Sequence, residues 1–384
     1  MKATKKAKLL LLTSNGGAGQ QSITQAILEY FNEKYEIETF NVTVDLIKGK
    51  DPLSTIKPEL NTEVVYNWLI RKNHFWLLNK FVKLGGLLFR SILKKRMIAA
   101  FADLYRDRQP DMIISLVAFY NAYALAAITT CPFVLVSCDL DARNYFHNYR
   151  LFKIDNLYCA FAIKTPELQR YLNKIQFPPS QQYFLGYPLR QSFLNSNHQP
   201  RKIDRHKQII TLMLGGQGSH KIIPYTKILT RLQHQVILNV CVGHNKHIIK
   251  KLKKIVTPEH IKINIIGFTD KIIDIMLAGD LIITKTGSSS IFEALSLRLP
   301  ILMDCTSTQL DWEKENVRFV INNKLGYKIK RLNKLVTLLT CLFETPHRLA
   351  QIKQNYGALS FPQFLPNFDR LLTKITKQID THEY

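Results

Sequence analysis

A short apolar run, a glycine-rich loop and a helical stretch occur in that order twice in this 384-residue chain, once at the head of each half. In the first half they are Lys8–Leu12, Gly16–Gly19 and Ser22–Phe31; in the second, Gln208–Leu214, Gly215–Ser219 and Ile222–Leu232. Glycines between a strand and a helix allow a tight turn, and the open N–H groups of the helix face whatever sits there. More apolar runs follow, most of them separated by helical patterns. They are Ile37–Asp45, Met112–Val117, Phe133–Ser137, Tyr158–Ile163 and Tyr183–Gly186, then Val236–Val242, Lys262–Ile266, Leu281–Thr284 and Ile301–Met303. Short apolar strands alternating with helices are the pattern of parallel sheets covered on both faces. The pattern predicts an α/β protein of two Rossmann-like domains facing each other across a cleft. Asn195–Lys207 is polar, without apolar periodicity, and reads as a linker. The expected division is therefore 1–194, a linker at 195–207, 208–360, and a last segment, 361–384. Its helix, Pro366–Gln378, opens on a proline and crosses back over the first domain.

Hydrophobic residues make up 46% of the chain, enough for a core in each half. The six cysteines (131, 138, 159, 241, 305 and 341) form no CxxC pair and no zinc-like spacing, which points to free thiols in a reducing compartment. Met1–Leu12 imitates a signal peptide with four lysines and a short apolar run. That run is short for an h-region and leads into the glycine loop, so a first strand is expected there. No stretch reaches the roughly 18 apolar residues of a membrane-spanning helix, and a soluble or peripheral protein is expected.

The formal net charge is +24. Such an excess reflects either a lysine-rich composition or an anionic partner. Its distribution favours a partner. Tyr66–Ala100 carries eight Lys or Arg and no Asp or Glu, interleaved with Trp68, Phe75, Trp76, Phe81, Leu87, Leu88 and Phe89. Apolar residues at three- and four-residue steps between cations describe amphipathic helices. They suit either a hairpin covering a sheet or an anionic membrane surface, and two of the three tryptophans here favour the membrane. No nucleic-acid recognition motif is present, and nucleic acid is not an expected partner.

Four segments carry chemistry. Gly16-Gly17-Ala18-Gly19 and Gly215-Gly216-Gln217-Gly218-Ser219 are each a phosphate cradle or a packing turn; neither ends in the Lys-Ser/Thr of a P-loop. Phe268 follows a strand and either covers a base or fills a core. Thr286–Ser290 leads into a helix containing Glu293, which is expected in its first turn, where the helix dipole favours a carboxylate. A carboxylate there can also accept two hydrogen bonds from a ribose diol. Asp304–Asn316, ending Trp312-Glu313-Lys314-Glu315-Asn316, is a polar loop expected at the same cleft.

From Gly186 to Gly326 the chain resembles the nucleotide-binding half of one glycosyltransferase family. That family joins plant galactosyldiacylglycerol synthases, bacterial processive diacylglycerol glucosyltransferases and the peptidoglycan lipid-linked GlcNAc transferase. The residues that carry the resemblance are Gly186-Tyr187-Pro188-Leu189-Arg190, Leu214–Ser219, Val242-Gly243-His244-Asn245 and Ile266-Gly267-Phe268. Asp280–Lys285, Glu293-Ala294-Leu295, Leu299–Leu302 and Glu313–Asn316 continue it in the same order. In the first half Leu12–Gly19, Val44-Asp45-Leu46, Asp139-Leu140 and Tyr145-Phe146-His147 resemble the diacylglycerol branch more than the peptidoglycan branch.

The resemblance implies an inverting transferase of the GT-B kind with no cofactor and no metal. It implies a UDP-sugar donor, a diacylglycerol-type lipid acceptor, and a cytoplasmic protein peripheral on the inner face of the cell membrane. A peptidoglycan precursor as acceptor and a catalytically silent relative are the alternatives. Carried over residue by residue, Glu293 would hold the ribose and Phe268 the uracil. Gly218, Ser219, Ser288 and Ser289 would hold the diphosphate, with Arg190 near it at the domain junction. Gly216, Gly287, Glu313 and Asn316 complete the donor side, and Gly16, Gly17, Gly19 and Gln20 form the acceptor-side loop. Asp139-Leu140-Asp141 is superficially similar to the metal-binding DxD of another transferase fold, but the duplicated plan argues against that reading.

Two departures matter. Gln20 stands where the family usually has a histidine, and glutamine cannot shuttle a proton. Trp312-Glu313 stands where a Gln-Glu pair usually reads the sugar, in a somewhat longer loop with Gln309 displaced upstream. The proton acceptor is therefore expected at His147 or Asp45.

Overall fold

The computed structural model describes residues 6–16, 18–46, 62–91, 94–128, 130–152, 155–194, 207–359 and 361–382, with side chains at 18, 62, 86–91 and 379–382 excepted. The first sheet contains β1 (Lys8–Thr13), β2 (Glu36–Asn41), β3 (Met112–Ser115), β4 (Phe133–Val136), β5 (Leu157–Phe161) and β6 (Gln182–Phe184). The second contains β7 (Gln208–Met213), β8 (Val236–Gly243), β9 (Ile261–Gly267), β10 (Leu281–Thr284), β11 (Ile301–Asp304) and β12 (Gly326–Ile329). Strand orders are β2-β1-β3-β4-β5-β6 and β12-β11-β10-β7-β8-β9, and every pairing is parallel. Leu9–Leu12 and Leu281–Ile283 are fully buried, as strands covered on both faces must be. The direction of winding reverses between β1 and β3 and between β7 and β10, so a crevice opens at the carboxyl ends of those strands in each sheet. The fold is GT-B, with the two crevices face to face.

Several boundaries differ from the sequence reading. The first helix starts at Ala18 rather than Ser22. The second strand stops at Asn41 rather than Asp45, and Val42–Leu46 winds into a π-helical turn. The cause is local: Asn41 Oδ1 accepts from the backbone N–H groups of Thr43 (3.1 Å) and Val44 (3.2 Å), which a strand would use in its ladder. The edge strand β12 escaped the sequence reading because Gly326-Tyr327-Lys328-Ile329 is too short for a clear alternation.

The last helix runs Phe364–His382, two residues longer at its start than the proline suggested. Pro366 still falls in the first turn, where its missing N–H leaves no hydrogen bond broken. This helix lies on the first domain. Phe368 meets Phe31 edge-on at 5.7 Å, Asp369 pairs with Lys34, and Asn367 Nδ2 donates to the carbonyl of Leu185. Residues 195–206 of the expected linker lie outside the described residues. All six cysteines are free thiols, and among the described residues no helix is long and apolar enough to cross a membrane.

Among the described residues between β2 and β3 are the α-helices Thr62–Lys72, Phe75–Ser91 and Lys94–Arg108. They carry the acid-free window. Leu69 and Leu78 from the first two bury against Leu310 of the other domain, with Trp312 at the edge of that cluster. The inner face of the hairpin therefore meets the opposite domain rather than covering its own sheet. The outer face leaves Trp68 49% and Trp76 59% exposed, beside exposed Leu77 and Leu84, with Lys80 Nζ 4.0 Å over the Trp76 ring. Leu87, Leu88, Phe89 and Arg90 belong to the same reading, but their side chains lie outside what is described.

Candidate active site

The facing crevices enclose a cleft of about 690 Å³. One wall comes from the loops after β1, β3 and β4, the other from the loops after β7, β9, β10 and β11. Gly16, Gly19, Gln20, His147, Arg190, Gly216, Gly218, Ser219, Phe268, Gly287, Ser288, Ser289, Glu293 and Glu313 all line it. Gly17 lies outside the described residues. Asp45 and Asn316 are not in the lining.

The second-domain wall is held by short polar links. Asn316 is fully buried and donates from Nδ2 to the carbonyl of Thr286 (2.8 Å) and to Ser288 Oγ (3.0 Å). It shapes the small-residue loop from behind instead of facing a ligand, which corrects the donor contact expected of it. Glu313 is buried and accepts from Thr286 Oγ1 at 2.6 Å and from Lys285 Nζ at 3.2 Å. Gly287 and Ser288 then open the helix Ser288–Ser296 toward the cleft. Glu293 falls in the second turn of that helix, not the first, so the helix dipole is not what places it. Its partner is Arg190, 3.3 Å away across the domain junction. Burial pushes the Glu293 carboxyl up to about 7, and Arg190 pulls in the opposite direction. Phe268 is 58% exposed, which removes the core-filling reading. It stacks on His244 with centroids 4.0 Å apart and planes at 19°, so one ring face is supported.

On the first-domain wall the informative residue is Asp139, just past the end of β4. Its Oδ1 accepts from Ser288 Oγ of the opposite domain at 2.8 Å, and Oδ2 stands 3.5 Å from the Tyr145 hydroxyl. Burial pushes its carboxyl up to about 7; Ser288 and Lys285 work against that rise, while Glu313 and Asp141 reinforce it. Asp141 pairs with Arg143 instead, so the two carboxylates of Asp139-Leu140-Asp141 have different partners. Among the described residues no group of three or more His, Cys, Asp and Glu converges as a metal site would. Gln20 is locked: Ser14 Oγ donates to Oε1, and Nε2 donates to the carbonyl of Leu116 at 2.7 Å. Asp45 is exposed and accepts from the backbone N–H of Asn41 at 3.2 Å. The π-helical turn places Asp45 off the cleft wall, so it is not positioned as a base. His147 does line the cleft, with Phe119 edge-on at 5.6 Å.

Asp139 is a candidate that residue type and spacing alone do not single out. The available signal was its place at the carboxyl end of a central parallel strand, where ligand-facing residues of this architecture gather. Its burial against the other domain had no signal in the sequence. The seam has two more links. Tyr187 OH and Ser289 Oγ share a hydrogen bond of 2.9 Å, and Ser219 Oγ donates to Asn73 Oδ1 at 3.0 Å.

Residues 209–361 match the family model of the glycosyltransferase family 28 C-terminal domain. The chain is 27% identical to the chloroplastic monogalactosyldiacylglycerol synthase of Spinacia oleracea over 349 residues, covering 84% of this chain and 63% of the synthase. It is 24% identical to the processive diacylglycerol beta-glucosyltransferase of Staphylococcus saprophyticus over 382 residues, covering 94% of this chain and 90% of that enzyme. The chain spans less than two thirds of the length of the spinach, tobacco and Arabidopsis synthases it matches. Among solved structures, Acinetobacter baumannii MurG superposes with a TM-score of 0.65 at 12% identity, covering 96% of this chain and 99% of MurG. Arabidopsis thaliana UGT89C1, solved with UDP-L-rhamnose, superposes at 0.57 with 13% identity, covering 97% and 100%. These matches bear out the resemblance read from the sequence and the GT-B fold.

Proposed function

We propose that this chain, whose second domain carries the family 28 match, moves a hexose from a UDP-sugar to a diacylglycerol-type lipid at an anionic membrane surface. The observation that carries the reading is the contact between Asp139 and Ser288. It sets a carboxylate with a pKa near 7 against the N-terminus of a nine-residue helix, inside a cleft large enough for a nucleotide-sugar. Phe268 offers a supported aromatic face to the uracil, and the buried Glu293 offers a carboxylate to the ribose. Ser219, Ser288, Ser289 and the helix N-terminus offer donors to the diphosphate, with Arg190 adding a charge at the junction.

In this reading the diphosphate takes the Ser288 hydroxyl from Asp139, and the released carboxylate acts as general base. A lipid hydroxyl attacks the anomeric carbon, its proton passes to Asp139, and the bond from that carbon to the phosphate oxygen breaks. The leaving UDP is stabilised by the helix N-terminus and Arg190. His147 is the rival base, favoured by its place in the cleft lining and its intrinsic pKa.

The exposed aromatic and cationic face of the hairpin supports a peripheral position on an anionic inner membrane surface. The test is to incubate the purified chain with diacylglycerol vesicles and a panel of UDP-hexoses, and to follow UDP release and glycolipid by mass. Transfer to diacylglycerol is expected. Transfer only to a polyprenyl-diphosphate sugar acceptor moves the chain to the peptidoglycan-type reading. UDP binding without transfer to any acceptor makes it a silent relative.

A further inference from the structure

The loop between β11 and Trp312 is gripped from both domains. From its own side, Lys221 Nζ donates to Asp304 Oδ2 (2.8 Å), Thr306 Oγ1 (3.0 Å) and Ser307 Oγ (2.7 Å). From the opposite domain comes Asn79, buried on the Phe75–Ser91 helix. Its Nδ2 donates to the carbonyl of Gln309 at 3.0 Å, and its Oδ1 accepts from the N–H of Asp311 at 3.1 Å. Both ends of one side-chain amide are thus spent on loop backbone two residues apart. Leu310, the residue between, inserts beside Leu69 and Leu78, and Lys83 pairs with Asp311 at 3.1 Å. The next residues, Trp312 and Glu313, stand in the cleft.

We propose that Asn79 is a positioning residue for the sugar half of the donor, holding the loop so that Trp312 and Glu313 form the hexose pocket. This rests on the reading of the cleft as a UDP-sugar site. The physical reason is the cost of releasing the clamp. A buried amide bonded at both ends to backbone leaves two backbone groups, the Gln309 carbonyl and the Asp311 N–H, without those partners when it is removed. The loop then relaxes in the segment that ends in Trp312-Glu313. The nucleotide half is held differently: Phe268 rests on His244, and Glu293 pairs with Arg190. Loss of Asn79 therefore separates sugar recognition from nucleotide recognition. It also makes the hexose pocket a joint product of both domains, with one wall hung from the helix whose outer face carries Trp76 and Lys80.

Calorimetric titration of the full chain and of Asn79→Ala with UDP, UDP-glucose and UDP-galactose tests this. Affinity for the preferred UDP-hexose should fall about tenfold in the variant while UDP affinity stays within about twofold, one lost charge-free clamp being of that size. Amide hydrogen exchange at 309–312 should accelerate in the same variant, a readout independent of any ligand. Asn79→Gln keeps an amide donor and acceptor without adding a charge, so it should lose less than the alanine variant, and it serves if that variant folds poorly. Equal losses for UDP and UDP-hexose, no loss for either, or unchanged exchange at 309–312 would overturn the role of Asn79 while leaving the donor site standing. A parent chain that binds neither UDP nor any UDP-hexose overturns the site reading and this proposal with it.

Discussion

The two glycine loops open their domains alike and answer to different demands. In the second domain Gly218 has a φ of +74°, and a β-carbon there would stand 2.1 Å from the carbonyl oxygen of Val242 and 2.6 Å from Cβ of Asn245. The loop after β7 is folded tightly onto the loop after β8, and backbone cannot yield. In the first domain Gly19 has no left-handed backbone, and a β-carbon there would meet only the Ser289 side chain of the opposite domain, at 2.6 Å from its hydroxyl. The first glycine is required by the fold of its own domain. The second keeps room between domains, against the residue next to the one that holds Asp139. A shared pattern of residues thus marks a turn packed on its own domain in one half and a domain seam in the other.

In the proposed reading the first-domain wall carries the chemistry and the second the nucleotide, and each half can be broken separately. The largest effect is expected from Asp139→Asn, which should lower turnover at least a hundredfold, within the ~10²–10⁴ range of a general base, while UDP affinity changes little. His147→Ala producing that loss in its place would move the base along the same wall. The parent's kcat/KM should rise with pH through about 7, because Asp139 must be ionised to take a proton. Stability should run the other way. A carboxyl whose folded pKa lies above its unfolded value favours the folded state below about pH 4, and that contribution is lost as pH rises through about 7. Thermal unfolding of Asp139→Asn should lose the Asp139 share of that slope and keep the share of Glu293, whose carboxyl is also raised to about 7.

Next in size, Gly218→Ala should destabilise the protein by about 2 kcal/mol or more, since left-handed backbone alone costs an L residue ~1–2 kcal/mol before the clash is counted. Gly19→Ala should cost less than about 1 kcal/mol, because a serine side chain can turn away. Equal shifts in melting temperature for the two variants would erase the distinction drawn here. Glu293→Ala should weaken UDP binding about tenfold, the size of one charge-assisted pair, with an unchanged fold by circular dichroism. Unchanged calorimetric affinity would remove Glu293 from the nucleotide half. The smallest effect is expected at the surface. Replacing Lys94, Lys95 and Arg96 by serine should reduce pelleting with anionic vesicles by about two- to threefold at moderate salt, because these charges are partly screened. Equal pelleting of the parent on neutral and anionic vesicles would contradict an electrostatic contribution.

Much of this molecule is legible in the residue order. Leu9–Leu12 and Leu281–Ile283 announce strands covered on both faces, and the glycine loops announce turns into helices; these signals are local and survive without neighbours. Phe268, Ser288 and Glu293 were legible as candidates for the same reason, since they lie in short segments whose spacing carries the pattern, and all three line the cleft. Asp45 misled because a strand was extended through Asn41, whose side chain takes over the backbone donors ahead of it. Asn316 misled because a residue beside a site and a residue in it have the same sequence signature.

By itself, the sequence determined two parallel α/β domains, their facing crevices, the small-residue loop Thr286–Ser290 and an amphipathic region acid-free over Tyr66–Ala100. All of these follow from periodicity and turn chemistry within a few residues. The tertiary structure alone decided that Asp139 meets Ser288, that Arg190 reaches Glu293, and that Asn79 holds the loop before Trp312. Those partners are separated by 149, 103 and more than 200 residues along the chain. No local propensity records such a meeting. The desolvation that lifts the Asp139 carboxyl arises only when the two domains close on each other.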